Sequence, residues 1–182
     1  LAAKDGLGLS SAGSMTQSVA IAVVEELQIV LEAAIQVAVA ASEAYGVNPG
    51  PFLPEVVATK PVPGGVDASR LIMDLLDESW TLDDGAIGQA QHALSFRTLV
   101  PLVALLRSHA QTFTELLLNE CNSSNDNPVV LLETREIRSS SNFQSLAVSV
   151  AGDALSIALT HWSNAAANRT IRMANASIQG IP

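Results

Sequence analysis

Two stretches of this chain hold side chains that could do chemistry. The first runs from Asn122 to Ser145: Asn122-Ser-Ser-Asn-Asp-Asn-Pro128, a short apolar run, then Ser141-Asn142-Phe143-Gln144-Ser145. A long apolar pattern precedes it and another follows. Polar loops between buried helices tend to carry function, because a rigid scaffold fixes them in one place. The second stretch is Gln91-His-Ala-Leu-Ser-Phe-Arg97-Thr98. Arg97 follows a polar connection and opens an apolar helix. A guanidinium so placed can hold a carboxylate by two parallel hydrogen bonds, with Gln91, His92 and Ser95 close by in sequence. The alternative is a structural ion pair with one of the 18 acidic residues, and on periodicity alone the ion pair is favoured.

Other chemistries find little support. His92, His109 and His161 are far apart and in no metal-ligand spacing, so no metal site is expected. No phosphate-cradling glycine loop and no nucleophile elbow occur. Asp74, Asp77 and Glu78, like Asp83-Asp84, read as solvated acidic surface. With a net charge of −9 and nine scattered basic residues, the chain has no footprint for nucleic acid. Cys121 is the single cysteine, which excludes an intrachain disulfide and fits a reducing, cytoplasmic setting. It lies in an apolar helix pattern and is expected to be a buried thiol. The start shows no signal-peptide pattern and no Met, so a processed product or a piece of a longer polypeptide is expected.

The elements that must position these residues are helices. Hydrophobic residues are 48% of the chain, charged ones 15% and aromatic ones only 4%, so the core is Ala, Val, Leu and Ile, which suits closely packed helices. Residues Ser14 to Tyr45 form the first strong helix, ended by Gly46. Ser18, Glu25, Gln28, Glu32, Gln36 and Glu43 fall in one polar stripe, and the rest of its circumference is apolar, as for a helix surrounded by others. Its glutamates argue against a membrane span. Gly46 to Gly65, with five prolines, is loop with at most a short turn between Pro54 and Thr59. Asp67 is expected to cap a helix from Ala68 to about Ser79, with Leu71, Ile72, Leu75 and Leu76 inward. Trp80 to Gln91 reads as a mobile connection.

The next helix runs from about Leu99 to Asn122, with Ser108, Gln111, Thr112, Glu115, Asn119 and Asn122 on one face. Val129–Leu132 and Glu136–Arg138 make a small hairpin. The last helix extends from about Phe143 to Met173. Its stripe Ser145, Ser149, Asp153, Ser156, Thr160, Ser163 and Asn164 is either a close-packing seam, the weightier reading, or the lining of a polar cavity. The expected architecture is all-α, a single elongated helical bundle over residues 1–182 with a small hairpin. Helices this apolar cannot cover one another within one short chain. An obligate oligomer, or association with a missing remainder of the chain, is therefore expected.

The wording of five segments goes further. Lys4-Asp5-Gly6-Leu7-Gly8-Leu9 resembles the Lys-Glu-Gly-Leu-Ala-Leu segment of the aromatic amino-acid ammonia-lyases. Gln91 to Thr98 resembles their Gln-Asp-x-Tyr-x-Leu-Arg-Thr. Asn122 to Val130 is similar to Asn-Ser-x-Asn-Asp-Asn-Pro-Leu-Ile, and Asn142-Phe143-Gln144 to the Asn-Phe-Gln of the phenylalanine branch. Gln179-Gly180-Ile181-Pro182 resembles a closing Gly-Leu-Pro. Order and spacing hold over essentially the whole chain.

The resemblance implies a helical homotetramer whose active sites are shared between chains and which eliminates ammonia from an aromatic amino acid. It implies an electrophile, a methylidene-imidazolone formed from an internal Ala-Ser-Gly, a tyrosine base, and an arginine that holds the substrate carboxylate. On this basis Arg97 is the carboxylate clamp, Gln91 and Asn142 are polar contacts, and Phe143 packs beside the electrophile or the substrate ring. Four departures matter. No Ala-Ser-Gly occurs in the chain, so an upstream or partner segment must supply the electrophile. Ser11-Ala12 stands where the family has Asn-Gly. Leu94 stands where the family has its tyrosine, and a leucine cannot transfer a proton. The family's C-terminal acidic residue would also lie past Pro182. This chain alone is expected to be inactive, as part of an ammonia-lyase-like enzyme, as a repurposed relative that keeps the cavity for another reaction or for binding, or as a structural subunit.

Overall fold

The computed structural model describes residue 2 and residues 5–11 and 13–175, without the side chains at 7 and 11. Among these residues it has seven α-helices and one two-stranded sheet. The helices are α1 (Asp5–Ser11), α2 (Ser14–Ala44), α3 (Pro54–Val57), α4 (Gly65–Leu75), α5 (Leu94–Arg97), α6 (Leu99–Cys121) and α7 (Leu146–Ala174). Strands β1 (Val129–Leu131) and β2 (Glu136–Arg138) pair antiparallel with Val130 opposite Ile137. The fold is the all-α class with a hairpin that the periodicities indicate. The chain divides into two compact units, one of residues 1–28 and 110–154, the other of residues 29–109 and 155–182.

In the first unit, Ala20 and Leu27 of α2, Phe113 and Leu117 of α6, and Val148 and Ala151 of α7 are buried. These positions follow helical spacing on each element, which is why the sequence places them inward. Gly152 admits the Phe113 ring, whose Cε2 would lie 3.4 Å from a Cβ there. The last helix begins at Leu146, not near Phe143, because Gln144 N–H donates to the Ser141 carbonyl in a turn of its own. Cys121, expected to be buried, is exposed. It continues the Phe113–Leu117 stripe by one turn, at the point where α6 gives way to the polar loop and water reaches the thiol.

In the second unit, the buried set is Ile35, Ala38, Val39 and Ser42 of α2, then Phe52, then Ala68, Ser69, Ile72 and Leu76 of the α4 region. It continues with Phe96 of α5, Leu99, Val103 and Leu106 of α6, and Leu155, Ala158 and Trp162 of α7. Gly46 ends α2 as its residue type demands. It takes φ +68°, Val47 N–H reaches the Ser42 carbonyl and Gly46 N–H the Glu43 carbonyl. The proline-rich stretch holds a 3₁₀ turn at Gly50–Phe52 as well as α3. Ser69 Oγ ties that turn to α4 through a 2.5 Å hydrogen bond to the Phe52 carbonyl.

The start of α4 corrects the sequence reading. Gly64, left-handed at φ +71°, precedes Gly65, which opens the helix, and no side chain caps it. Asp67 lies in the first turn, exposed, with Arg70 at 3.4 Å. The glycine pair allows the earlier start, since Gly64 bears no Cβ to resist positive φ. Leu75 is likewise exposed, and the inward stripe is Ala68, Ser69, Ile72 and Leu76.

The apolar circumference of α2 is not covered by this chain. Met15, Val19 and Val23 are exposed in the first unit, and Ile29, Val30 and Val37 in the second. On α7, Leu146 and Val150, then Ile157 and Ile171, are exposed too. The polar stripe expected on α7 faces out: Ser149, Asp153, Ser156, Thr160, Ser163 and Asn164 are all exposed.

Phe52 is 0% exposed, and truncating it leaves a cavity under α4. Phe52→Ala is expected to cost about 3–5 kcal/mol. Val130→Ala, at a half-exposed hairpin position, is expected to change stability by less than about 0.5 kcal/mol. Denaturant unfolding of the two variants checks both, and equal losses would contradict the assignment of the core.

Candidate functional site

The turn around α5 is assembled from the second unit. A four-residue helix has no stability of its own, so its neighbours fix it. Asn48 begins the frame. Its Nδ2 donates to the carbonyls of Gln89 (3.4 Å) and Ala90 (3.3 Å), and its Oδ1 accepts from Gly50 N–H at 2.8 Å. Gln89 Nε2 donates to the Gln91 carbonyl at 2.7 Å. Phe96 is fully buried and stacks on Tyr45, with centroids 4.7 Å apart and planes 18° apart. His92 stands edge-on to the same Tyr45 ring at 6.2 Å and 76°. Burial pushes the His92 imidazole below its ordinary value of 6.5, and the nearby Gln89 backbone pulls weakly the other way without reaching hydrogen-bond geometry.

The second support is Arg169 on α7. It is buried, donates from Nη1 to the Ser95 carbonyl at 2.8 Å, and lies over the Trp162 ring with Cζ 5.2 Å from the centroid. Desolvation lowers its pKa, though a guanidinium remains charged under ordinary conditions. The carbonyl and the ring face together offset part of the cost of taking that charge out of water.

Arg97 is half-buried and donates from Nη1 to Gln91 Oε1 at 3.0 Å. Among the described residues no carboxylate pairs with it, so the structural ion pair favoured by periodicity does not form. A neutral amide holds the guanidinium without neutralising it, and its remaining N–H groups keep their capacity for a carboxylate. Leu94, 68% exposed, borders an open cleft of about 440 Å³. Ser95 and Thr98 line it from the α5 side, and Asn164, Asn168 and Arg172 from α7. Gln91 and Leu94 thus fall on one short turn with Arg97, though Arg97 itself is not part of the cleft lining.

The other expected site residues belong to the first unit. Asn142 Nδ2 donates to the Ser124 carbonyl at 3.0 Å, which fastens the Asn142-Phe143-Gln144 run to the Asn122–Pro128 loop. Asn127 Oδ1 accepts from Ser140 N–H at 2.8 Å, and Ser140 Oγ donates to the Asp126 carbonyl at 2.7 Å. Asparagine, aspartate and serine here do what backbone pairing does elsewhere, which is why an irregular loop keeps one shape. The Asn127–Pro128 peptide is cis. Phe143 is 45% exposed. Ser145 Oγ donates to Glu120 Oε1 at 2.5 Å, joining the foot of α7 to α6. Ser11 closes α1, and its side chain lies outside the described residues, as do Lys4, Ala12 and the run from Gln179 to Pro182. No group of metal-ligating side chains occurs among the described residues. No described helix is long and apolar enough to cross a membrane.

A family model described as aromatic amino acid lyase matches residues 1–182. The chain belongs to that family. It is 27% identical to the histidine ammonia-lyase of Aromatoleum aromaticum over 183 residues, which is 100% of this chain and 35% of the relative. It is 30% identical to that of Anaeromyxobacter dehalogenans over 136 residues, 72% of this chain and 27% of the relative. Among solved structures, Pantoea agglomerans phenylalanine aminomutase superposes with a TM-score of 0.84 at 26% identity, covering 94% of this chain and 37% of that one. The ergothionase of Treponema denticola, solved with desmethyl-ergothioneine sulfonic acid, gives 0.87 at 22% identity over 96% of this chain and 35% of that one, a likeness of fold. The chain spans about a third of the length of the curated relatives it matches.

Aromatic amino acid lyases use a methylidene-imidazolone made from Ala-Ser-Gly. This chain contains no such triplet, so its own residues do not form the group.

Arg169, which sequence reasoning missed, had a signal. Val148, Ala151, Leu155, Ala158 and Trp162 mark an inward stripe on α7, and position 169 continues it. Removing that guanidinium leaves space beside Trp162 and frees the Ser95 carbonyl. Arg169→Ala is therefore expected to cost about 2–4 kcal/mol, and Arg169→Lys to recover less than half, because an ammonium lacks the planar stacking face. Denaturant midpoints of the three proteins check this.

Proposed function

We propose that this chain is the part of an ammonia-lyase-like protein that anchors a small carboxylated or aromatic substrate. Arg97, steadied by Gln91, is the carboxylate clamp. Leu94 and Phe143 supply apolar contacts, and Asn142 and Ser11 polar ones. The observation that carries this reading is the Arg97–Gln91 hydrogen bond on α5, which leaves a guanidinium held in place yet unpaired by any described carboxylate. The family match supports a carbon–nitrogen lyase as the reaction class. The electrophile comes from an upstream or partner segment, and when bound it supplies the acceptor for the substrate amine. The exposed apolar residues of α2 and α7 are covered by further copies of the chain, in a homo-oligomer such as a tetramer, or by that second segment.

Leu94 supports a second reading. A 68% exposed leucine stands where the family has tyrosine, so the proton transfer expected there has no donor or acceptor. A repurposed relative would keep the anchor and lose the elimination.

Two measurements on the purified native assembly separate these. Near-ultraviolet absorbance of a cyclised electrophile, with cinnamate or urocanate accumulating, is the outcome expected of an ammonia-lyase. Binding of cinnamate with neither signal is the outcome expected of a repurposed relative. In both cases Arg97→Ala is expected to weaken cinnamate binding by about tenfold to a hundredfold, the worth of a charge-assisted pair. Unchanged affinity would remove Arg97 from the site.

A further inference from the structure

The turn that carries Gln91, Leu94 and Arg97 contains a buried imidazole whose nitrogens make no hydrogen bond. His92 is 8% exposed, and neither Nδ1 nor Nε2 has a hydrogen-bond partner. Its ring has aromatic surroundings instead: edge-on to Tyr45, which lies flat against Phe96. A buried polar group left unpaired is destabilising relative to an apolar one of similar shape, so its presence here needs a reason. Its position offers one. Gln91, directly before it, is the hydrogen-bond partner of Arg97, and Phe96, directly before Arg97, is the base of the aromatic stack. His92 is thus the chain neighbour of one end of the bond that orients the guanidinium, and shares the Tyr45 ring with the chain neighbour of the other end.

We propose that His92 is a positioning residue. As a neutral ring it completes the Tyr45–Phe96 packing that sets α5 and presents Arg97. As a cation it leaves that packing, and the turn comes loose. This rests on the reading of Arg97 as the substrate anchor.

Burial among the groups around the ring favours the neutral form, with the Gln89 backbone pulling the other way. Just past the end of α2, the titratable group against the ring is the Tyr45 phenol. On α5 the charged group is Arg97, itself a cation and turned to Gln91. Gln89, Ala90 and Gln91 carry no charge, and no described carboxylate forms an ion pair with the ring. A proton on His92 would thus be buried beside apolar rings with no counter-charge. The direction of the effect follows. The folded chain holds the imidazole below 6.5, so at lower pH the unfolded or loosened state binds the proton more readily. The contribution is present above about pH 6.5 and is lost as pH falls through the depressed value.

Hydrogen-exchange mass spectrometry on the native assembly tests this between pH 7.5 and 5.5, after correction for intrinsic exchange. Peptides spanning residues 91–98 are expected to lose protection severalfold on acidification, up to about tenfold for one histidine over this range, while those around Val103 and Leu106 do not. His92→Phe keeps the aromatic packing and is expected to hold the protection of 91–98 flat across the range. An equal acid loss in His92→Phe, or no acid loss in the native protein, overturns the proposal. Should His92→Phe fail to accumulate, His92→Leu replaces it, and the native profile by itself still decides. Arg97→Ala is expected to weaken cinnamate binding by the same roughly tenfold to hundredfold and leave the pH dependence of exchange unchanged, so failure of the anchor and failure of the histidine leave different traces.

Discussion

A helix of one turn cannot hold itself, and α5 has only four residues. Its amides close onto the Ala93 and Leu94 carbonyls, with Phe96 N–H at 3.0 Å and Thr98 N–H at 2.9 Å, but those bonds would fray in isolation. What fixes them comes from elsewhere in the sequence. The Tyr45 ring at the end of α2 receives Phe96, and the Arg169 guanidinium on α7 reaches back 74 residues to the Ser95 carbonyl. One support is apolar and one is electrostatic, so they respond differently to conditions. Burial of Phe96 weakens on cooling, whereas the Arg169 bond sits where salt screens little.

The Asn122–Ser145 loop solves the same problem by other means. No buried apolar anchor holds Asn142; short polar side chains do, each bonding a backbone group a loop-width away. Such side chains satisfy the backbone without demanding helix or strand geometry, which is what an irregular but reproducible surface requires. The hydrophobic Phe143 beside them is left 45% exposed. That is a poor arrangement for stability and a good one for contact with something apolar.

Much of this was legible from the chain. The apolar periods of α2, α6 and α7 survive because core spacing is set by the 3.6-residue turn, and Gly46 ends α2 because a left-handed residue was needed there. The misplaced start of α4 shows a limit. Asp67 has a capping side chain, but Gly64 and Gly65 let the helix begin three residues earlier, and propensity could not rank the two. Cys121 and Leu75 show another limit, since an inward-facing position is buried only if some other segment reaches that far. At the site, residue types marked Gln91 and Arg97, but not that they bond each other in preference to an acid. Arg169 was invisible for a different reason: a charged residue on an inward stripe is read as an interruption until its carbonyl and ring partners, far away in sequence, are known.

The groups gathered at α5 also bound the chemistry this turn can perform. Arg97 presents a guanidinium, which donates hydrogen bonds and accepts none. His92 is buried among rings, held neutral, and out of hydrogen-bond reach of any described group. Leu94 has no ionisable group, and the Ser95 hydroxyl is buried and unpartnered, with no base in hydrogen-bond contact to activate it. A turn so equipped can bind an anion, orient it and shape an apolar wall beside it, but it has no residue poised to exchange a proton with a substrate. In a protein of the aromatic amino acid lyase family, that places any proton transfer on residues outside this turn.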